Sequence, residues 1–440
     1  MSSTKKYTSY LLLRAITPPL KGARGRFGSA VAILLILFIG VPASAQQQPV
    51  ALDSVLQTIR TTNPMLQQYD LRAKAQNAYA EGATGWMAPM VGAGVFMLPY
   101  PGQNVESDEK EGSLMISAEQ AIPNPAKQRA KQAYFDSRAA IEQANAAATY
   151  NELRAQAKAS YYNWVVLERK LDVLQDNAKI MAYMLKLARI RYPYSQGKLG
   201  SIYKAEARLH EVENMQLMTR NEIAQQNVTL NILMNQPKEQ QFKIDTLLSI
   251  PGPVALAADT AYLNENRSDL RLLDRTIQTM RLGVEQEKLQ RKPDFSLRFD
   301  HMTPRNGMMP NQFTAMGMVS IPIAPWSSKM YKANTKAMNL EIDAMQRERE
   351  NILNEAQGMV RNMALELNAK REQVENYKTK ILPALKKNYD VTMLAYEQNT
   401  AQLPEVIDAW EALNMAQMDY LNNLQALYQL AVAYEREIER

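Results

Sequence analysis

The chain has 440 residues and no cysteine, which excludes disulfides, thiolate metal sites, cysteine nucleophiles and lipidation through an N-terminal cysteine. Its formal charge of +6 arises within residues 1–45, where Lys5, Lys6, Arg14, Lys21, Arg24 and Arg26 meet no acid. The remainder balances, so nothing in the charge points to a nucleic-acid partner.

In chain order, the basic stretch leads into an apolar run from Ala30 to Val41, then Ala43-Ser44-Ala45, a small-x-small cleavage pattern before Gln46. Residues 1–45 therefore read as a cleaved export signal; the run is too short for a membrane helix of roughly 20 apolar residues. An uncleaved N-terminal anchor is the other reading.

Residues 46–236 read as a first half. It opens with a helix and continues into strands at about 87–98 and 113–122. In the latter, Leu114, Ile116 and Ala118 oppose Ser113, Ser117 and Glu119. The former alternates more weakly, because its second face is largely small residues or glycine. Between Pro125 and Pro193 there is neither proline nor glycine. Those residues cost about 1 kcal/mol (Gly) to 3 kcal/mol (Pro) in a helix interior, so their absence predicts one long helix. From Ala126 to Tyr192 it would run roughly 100 Å at ~1.5 Å per residue. A seam of Leu153, Ala157, Ser160, Trp164, Leu167, Leu171, Leu174, Ala178, Met181, Leu185 and Ala188 alternates spacings of 4 and 3, the heptad pattern of helices packed side by side. A turn near 194–201 and a returning helix complete this half.

A linker at 237–253 holds three prolines and a glycine. Residues 254–440 then repeat the plan. After a helix come strands at about 293–300 and 312–321. Phe295, Leu297 and Phe299 oppose Asp294, Ser296, Arg298 and Asp300; Phe313, Ala315, Val319 and Ile321 oppose Gln312, Thr314 and Ser320. From Pro325 to Pro383 only Gly358 interrupts a second long helical stretch, and a turn near 398–403 precedes an unbroken helix after Pro404. Its seam is Val406, Ala409, Leu413, Ala416, Tyr420, Leu424, Leu427, Ala431, Tyr434 and Ile438.

The halves match piece by piece. Asn63-Pro64-Met65-Leu66 corresponds to Asn266-Arg267-Ser268-Asp269-Leu270, and Pro89 to Pro293. Ile122-Pro123 corresponds to Ile321-Pro322, and Tyr194-Ser195-Gln196-Gly197 to Tyr396-Glu397-Gln398-Asn399. The fold expected is mainly α with a small β part, internally duplicated. Strands of about 9–11 residues with one apolar face have the length that crosses an outer membrane, although the same pattern also suits a sheet of a soluble domain. Four strands cannot close a barrel, and an open edge in hydrocarbon leaves backbone groups unsatisfied, so membrane strands would require several chains in one barrel.

The duplicated plan, the Asn63-Pro64 opening, Ile122-Pro123, Ile381-Leu382-Pro383 and the two helix-turn-helix tips resemble the TolC outer-membrane efflux family, which includes a heavy-metal branch, over nearly the whole mature chain. The resemblance implies a homotrimer whose long antiparallel coiled coils build a periplasmic α-barrel. Above it stands a shared β-barrel of twelve strands, four from each chain. Such a duct sits in outer-membrane lipid, docks on a periplasmic adaptor and an inner-membrane pump, passes small molecules or metal ions, and catalyses nothing. Neither a cofactor nor a catalytic residue is expected; no His-based motif, phosphate loop or Gly-x-Ser-x-Gly is present.

The resemblance also implies site residues. The adaptor would meet the tips, at Gly197, Lys198, Leu199 and Ser201, with Gly200 as an insertion, and at Asn399, Thr400, Ala401 and Gln402; the plain alternative is two ordinary turns. Glu405 and Asp408 align with acids that ring the periplasmic entrance of some members; they equally suit the first turn of a helix opened by Pro404. Phe295, Leu297 and Phe299 are expected to face lipid. The chain has 25 methionines. Met302, Met308, Met309, Met316 and Met318 cluster around the second strand pair, as Met87, Met90, Met97 and Met115 do around the first. Thioethers suit Cu(I) and, by the same logic, Ag(I); they also fill apolar gaps, the reading for helical Met181 and Met363. His301 reads as a lone polar loop residue. The competing functions are a periplasmic coiled-coil adaptor, which needs only one hairpin, and a structural envelope protein, which needs no matched strands.

Overall fold

A computed structural model describes residues 49–103, 112–194, 198–247, 250–255, 259–305, 309–322 and 324–439. The expected export signal at 1–45 lies outside them, as do Gly197 and Met308.

The first half runs α1 (Leu52–Thr62), α2 (Pro64–Gly82), β1 (Met90–Phe96), β2 (Ser113–Ile122), α3 (Pro125–Arg191) and α4 (Leu199–Leu233). The second runs α5 (Thr260–Asn266), α6 (Ser268–Lys288), β3 (Asp294–Pro304), β4 (Gln312–Ser320) and α7 (Pro325–Asn376). A π-helical turn (Tyr377–Ile381) then leads into α8 (Leu382–Glu397) and α9 (Leu403–Glu437). The breaker-free stretch thus forms one 67-residue helix, α3, about 100 Å long at ~1.5 Å per residue. Asn124 starts it: its side chain accepts from Ala126 N–H, and Pro125 occupies the first turn, where a missing donor costs nothing.

Along α3, nine of the eleven seam positions are buried; Leu171 and Ala178 are half-buried. The chain stacks α4 and α2 end to end beside it. At their junction Asn63 caps α2 by accepting from Met65 N–H at 2.9 Å, while its Nδ2 donates to Leu233 O of α4 at 2.8 Å. Thr62 Oγ1 adds a bond to Met234 O. Head-to-tail stacking sets the negative end of one helix dipole against the positive end of the next. The second half has the same junction between α9 and α6, with Arg267 in the place of Asn63. Its Nη1 donates to Glu437 O at 3.0 Å and Glu437 Oε2 at 2.9 Å, and Nη2 bonds Asp269 at 2.7 Å. Glu439 accepts from both Ser268 N–H and Oγ at the start of α6. Asn63–Leu233 and Arg267–Glu437 each join residues 170 apart. Geometry therefore matches Asn63 to Arg267, one residue along from the Asn63–Asn266 match drawn from sequence.

The strands form one antiparallel sheet in the order β1-β2-β3-β4. β1 is shorter than the expected 87–98, and β3 runs past the expected 300 to Pro304. His301 lies in β3 rather than in a loop; its cross-strand partners are Ile116 and Phe313. Beyond the sheet, at the far end of α3, both hairpins share one core. Leu174, Met181, Met184 and Leu185 of α3 pack with Val212 of α4, Met393 of α8 and Trp410 of α9. Trp410 is 2% exposed and its Nε1 donates to Asn177 Oδ1 at 2.7 Å, so its one polar group is satisfied.

Candidate functional site

Cross-strand registry sorts the sheet into two faces. Val91, Val95, Leu114, Ile116, Phe295, Leu297, Phe299, Phe313 and Val319 share one. Ser113, Met115, Ser117, Glu119, Ser296, Arg298, Asp300, Met302 and Thr314 share the other. The apolar face is the open one: Val91 is 74% exposed, Phe313 71% and Leu297 58%. The β2 and β3 side chains of the polar face are sheltered, Asp300, paired with Arg298 at 3.0 Å, being only 7% exposed, whereas Met90, Phe96 and Met316 on the edge strands of that face are open. This inverts the pattern of a sheet packed in water. An apolar side chain of this size is worth roughly 1.5–3 kcal/mol when buried rather than left in water. Nine of them on one open face demand a cover. Phe295, Leu297 and Phe299 all lie on that face, and Phe299 stacks on Phe313 with centroids 5.8 Å apart. Among the described residues no helix is long and apolar enough to cross a membrane.

The methionines do not converge on one point. Met302 lies on the polar face opposite Met115. Met316 and Met318 are on the same face of β4, opposite Arg298 and Ser296, well along the strand from Met302. Met309 is outside the strands and exposed.

At the other end, the second tip is closed by Thr400, whose N–H and Oγ1 both donate to Ala395 O, at 2.8 and 2.9 Å. Asn399 takes φ +61°, the left-handed region that glycine and asparagine tolerate best. Lys198, Leu199, Asn399, Thr400 and Gln402 are exposed, and Ser201 and Ala401 half-buried. Between the two tips lies a cleft of ≈ 370 Å³ lined by residues that include Arg191, Lys198, Tyr396 and Gln402.

Glu405 belongs to a capping box, its carboxylate accepting from Gln402 N–H at 3.2 Å. Asp408 is exposed and pairs with Lys204 of α4 at 2.8 Å. That bond raises the Lys204 pKa above its ordinary value. The hairpins are further joined by Arg208 to Glu411 at 2.8 Å and by Arg191, which donates to Tyr396 O and Glu397 O and stacks 4.5 Å over the Tyr396 ring. Sequence reasoning missed Arg191, Lys204 and Arg208. No local signal pairs them: Lys204–Asp408 and Arg208–Glu411 are 204 and 203 residues apart.

No family model matches the chain. It aligns over 309 residues at 22% identity with the cobalt-zinc-cadmium resistance protein CzcC of Cupriavidus metallidurans, covering 68% of this chain and 71% of that one. Its structure superimposes on the outer-membrane channel OprN with a TM-score of 0.70, at 16% identity, over 88% of this chain and 89% of that one. The chain has the fold of an outer-membrane channel. CusC, a second structure of this fold, described as undergoing conformational changes that accompany folding and transmembrane channel formation, gives a TM-score of 0.69 at 13% identity over 89% and 92% of the two chains.

Proposed function

We propose that this chain is the outer-membrane channel of a tripartite export system, a passive homotrimeric duct for small molecules or metal ions. The observation that carries the reading is the sheet with its apolar face open and its polar face sheltered. Three copies of the four-stranded sheet, β4 of one pairing with β1 of the next, would give twelve strands and leave no edge unpaired. The α3–α4 and α7–α9 hairpins would continue the barrel as a helical tube through the periplasm. A cleaved signal would deliver the chain there. We read the halves as copies of one unit, a reading supported by the matched junctions at Asn63 and Arg267. The duct performs no chemistry; energy comes from an inner-membrane pump reached through a periplasmic adaptor. The adaptor would dock on the tips, at Lys198, Leu199, Ser201 and Asn399 to Gln402.

Light scattering of the detergent-extracted protein, corrected for detergent and made on separated membrane fractions, tests this. A trimer in the outer membrane is the expected result. A soluble periplasmic monomer would leave a coiled-coil adaptor or scaffold as the better account.

Glu405 and Asp408 are proposed to ring the entrance with six carboxylates in the trimer, attracting cations. Lys204 offsets part of that charge. The E405Q/D408N variant should therefore lower the cation-over-anion permeability ratio of channels in planar bilayers. An unchanged ratio would leave Glu405 its helix-starting role and Asp408 its ion pair with Lys204.

A further inference from the structure

The sheltered face of the sheet holds a feature that conduction alone does not require. Met115 of β2 and Met302 of β3 are direct cross-strand partners. Directly opposite residues hold their Cβ atoms about 4.5–5.5 Å apart, and methionine's three rotatable bonds let two thioethers from such a pair turn toward one point. Both residues are half-buried, neither open to bulk solvent nor locked in a core.

The surroundings leave room for a bound ion. On the β1 side Met115 faces Gly94, and a side chain added there would touch nothing within 4 Å. On the β4 side Met302 faces Gln312. The next row along the same face is Ser117 and Asp300, whose carboxylate is already tied to Arg298. Among the described residues no group of three His, Cys, Asp or Glu side chains could hold a metal. His301 cannot join the pair, because it lies on the opposite face of the sheet. Met316 lies on β4 four residues from Gln312, about 14 Å away at ~3.4 Å per residue, so it belongs to a separate level of that face.

We infer that Met115 and Met302 form a two-thioether site for a soft monovalent cation, Cu(I) or Ag(I), on the inner wall of the strand barrel. Thioether sulfur favours such ions, whereas zinc prefers imidazole, thiolate and carboxylate donors. The site rests on the channel reading for its place in a pore, but not for its chemistry. It would serve as a shallow stopping point near the outer end of the strands: binding must be favourable enough to enter and weak enough to leave.

The test is silver nitrate titrated into the full-length protein in chloride-free detergent buffer, followed by calorimetry and by X-ray absorption at the silver edge. Wild type should bind silver with sulfur in its coordination shell. The M115L/M302L variant, which preserves side-chain volume closely enough to fold, should bind at least tenfold more weakly. M359L, on α7, should bind as wild type does. Absence of sulfur-coordinated silver in wild type, or equal binding by M115L/M302L, overturns the site. Light scattering on the same samples separates the two ideas. A trimer that lacks the site refutes the site alone, and a monomer with methionine-dependent silver binding refutes the duct alone.

Discussion

Replacing Leu297 with arginine should abolish accumulation of the chain as an outer-membrane oligomer. Leu297 sits mid-strand on the apolar face, between Phe295 and Phe299, with Gln120 and Gly317 as its cross-strand partners. None of these offers a carboxylate. A guanidinium on the lipid face costs about 2–4 kcal/mol near the bilayer midplane and approaches zero at the interfaces. The proposed trimer would repeat that cost three times. The contrasting substitution is Thr314→Arg, on the other face of the neighbouring strand and directly opposite Asp300. There an arginine meets an acid on the sheltered face, so assembly should survive. Heat-sensitive oligomer bands from outer-membrane fractions report both variants. Normal assembly of L297R alongside failure of T314R would reverse the two faces and remove the basis of the barrel.

The helical part of this architecture was legible because its signal is local. Nothing between Pro125 and Pro193 can break a helix, and α3 fills that interval within a residue of the expected bounds. The second long stretch was expected to run to Pro383, yet the chain continues through that proline. Proline lacks an N–H and its ring crowds the carbonyl four residues earlier, here Thr379. The π-helical turn at Tyr377–Ile381 surrounds that carbonyl and absorbs the defect, a compensation that a list of breakers does not display. β3 was read short because the clean alternation of Phe295, Leu297 and Phe299 fades at His301, whose imidazole stands on the apolar side. The ion pairs between the hairpins were missed for a different reason. Lys204 and Asp408 are ordinary exposed helix residues until folding brings them within 2.8 Å, and one sequence does not name a partner for either. The sheltered Met115–Met302 pair was hidden in the same way. Composition registered the methionines, but only strand register puts those two opposite one another.

Replacing Arg267 with methionine should destabilise the second half far more than its surface position suggests. The side chain is 13% exposed and faces Glu437, which is 10% exposed. Burial opposes its charge, but bonds to Asp269 and Glu437 outweigh that penalty and hold its pKa above the ordinary value. Removing one partner so that a buried carboxylate is left wholly uncompensated costs about 3–5 kcal/mol; here Glu437 keeps its pair with Arg436 at 3.1 Å, so the loss should fall towards the lower end of that range. The R267M/E437L double variant removes both charges and should recover much of the loss, because apolar groups of similar volume replace a buried pair at little net cost. Asn63→Ala at the matching junction loses a neutral cap and one hydrogen bond, which costs about 0.5–2 kcal/mol. Thermal unfolding in detergent should therefore rank R267M below N63A, with R267M/E437L nearer wild type. A double variant as unstable as R267M would mean that the guanidinium acts through Asp269 and the Glu437 carbonyl rather than through the Glu437 carboxylate. The difference matters for how the halves hold together. A neutral amide joins α4 to α2, whereas a charged network joins α9 to α6.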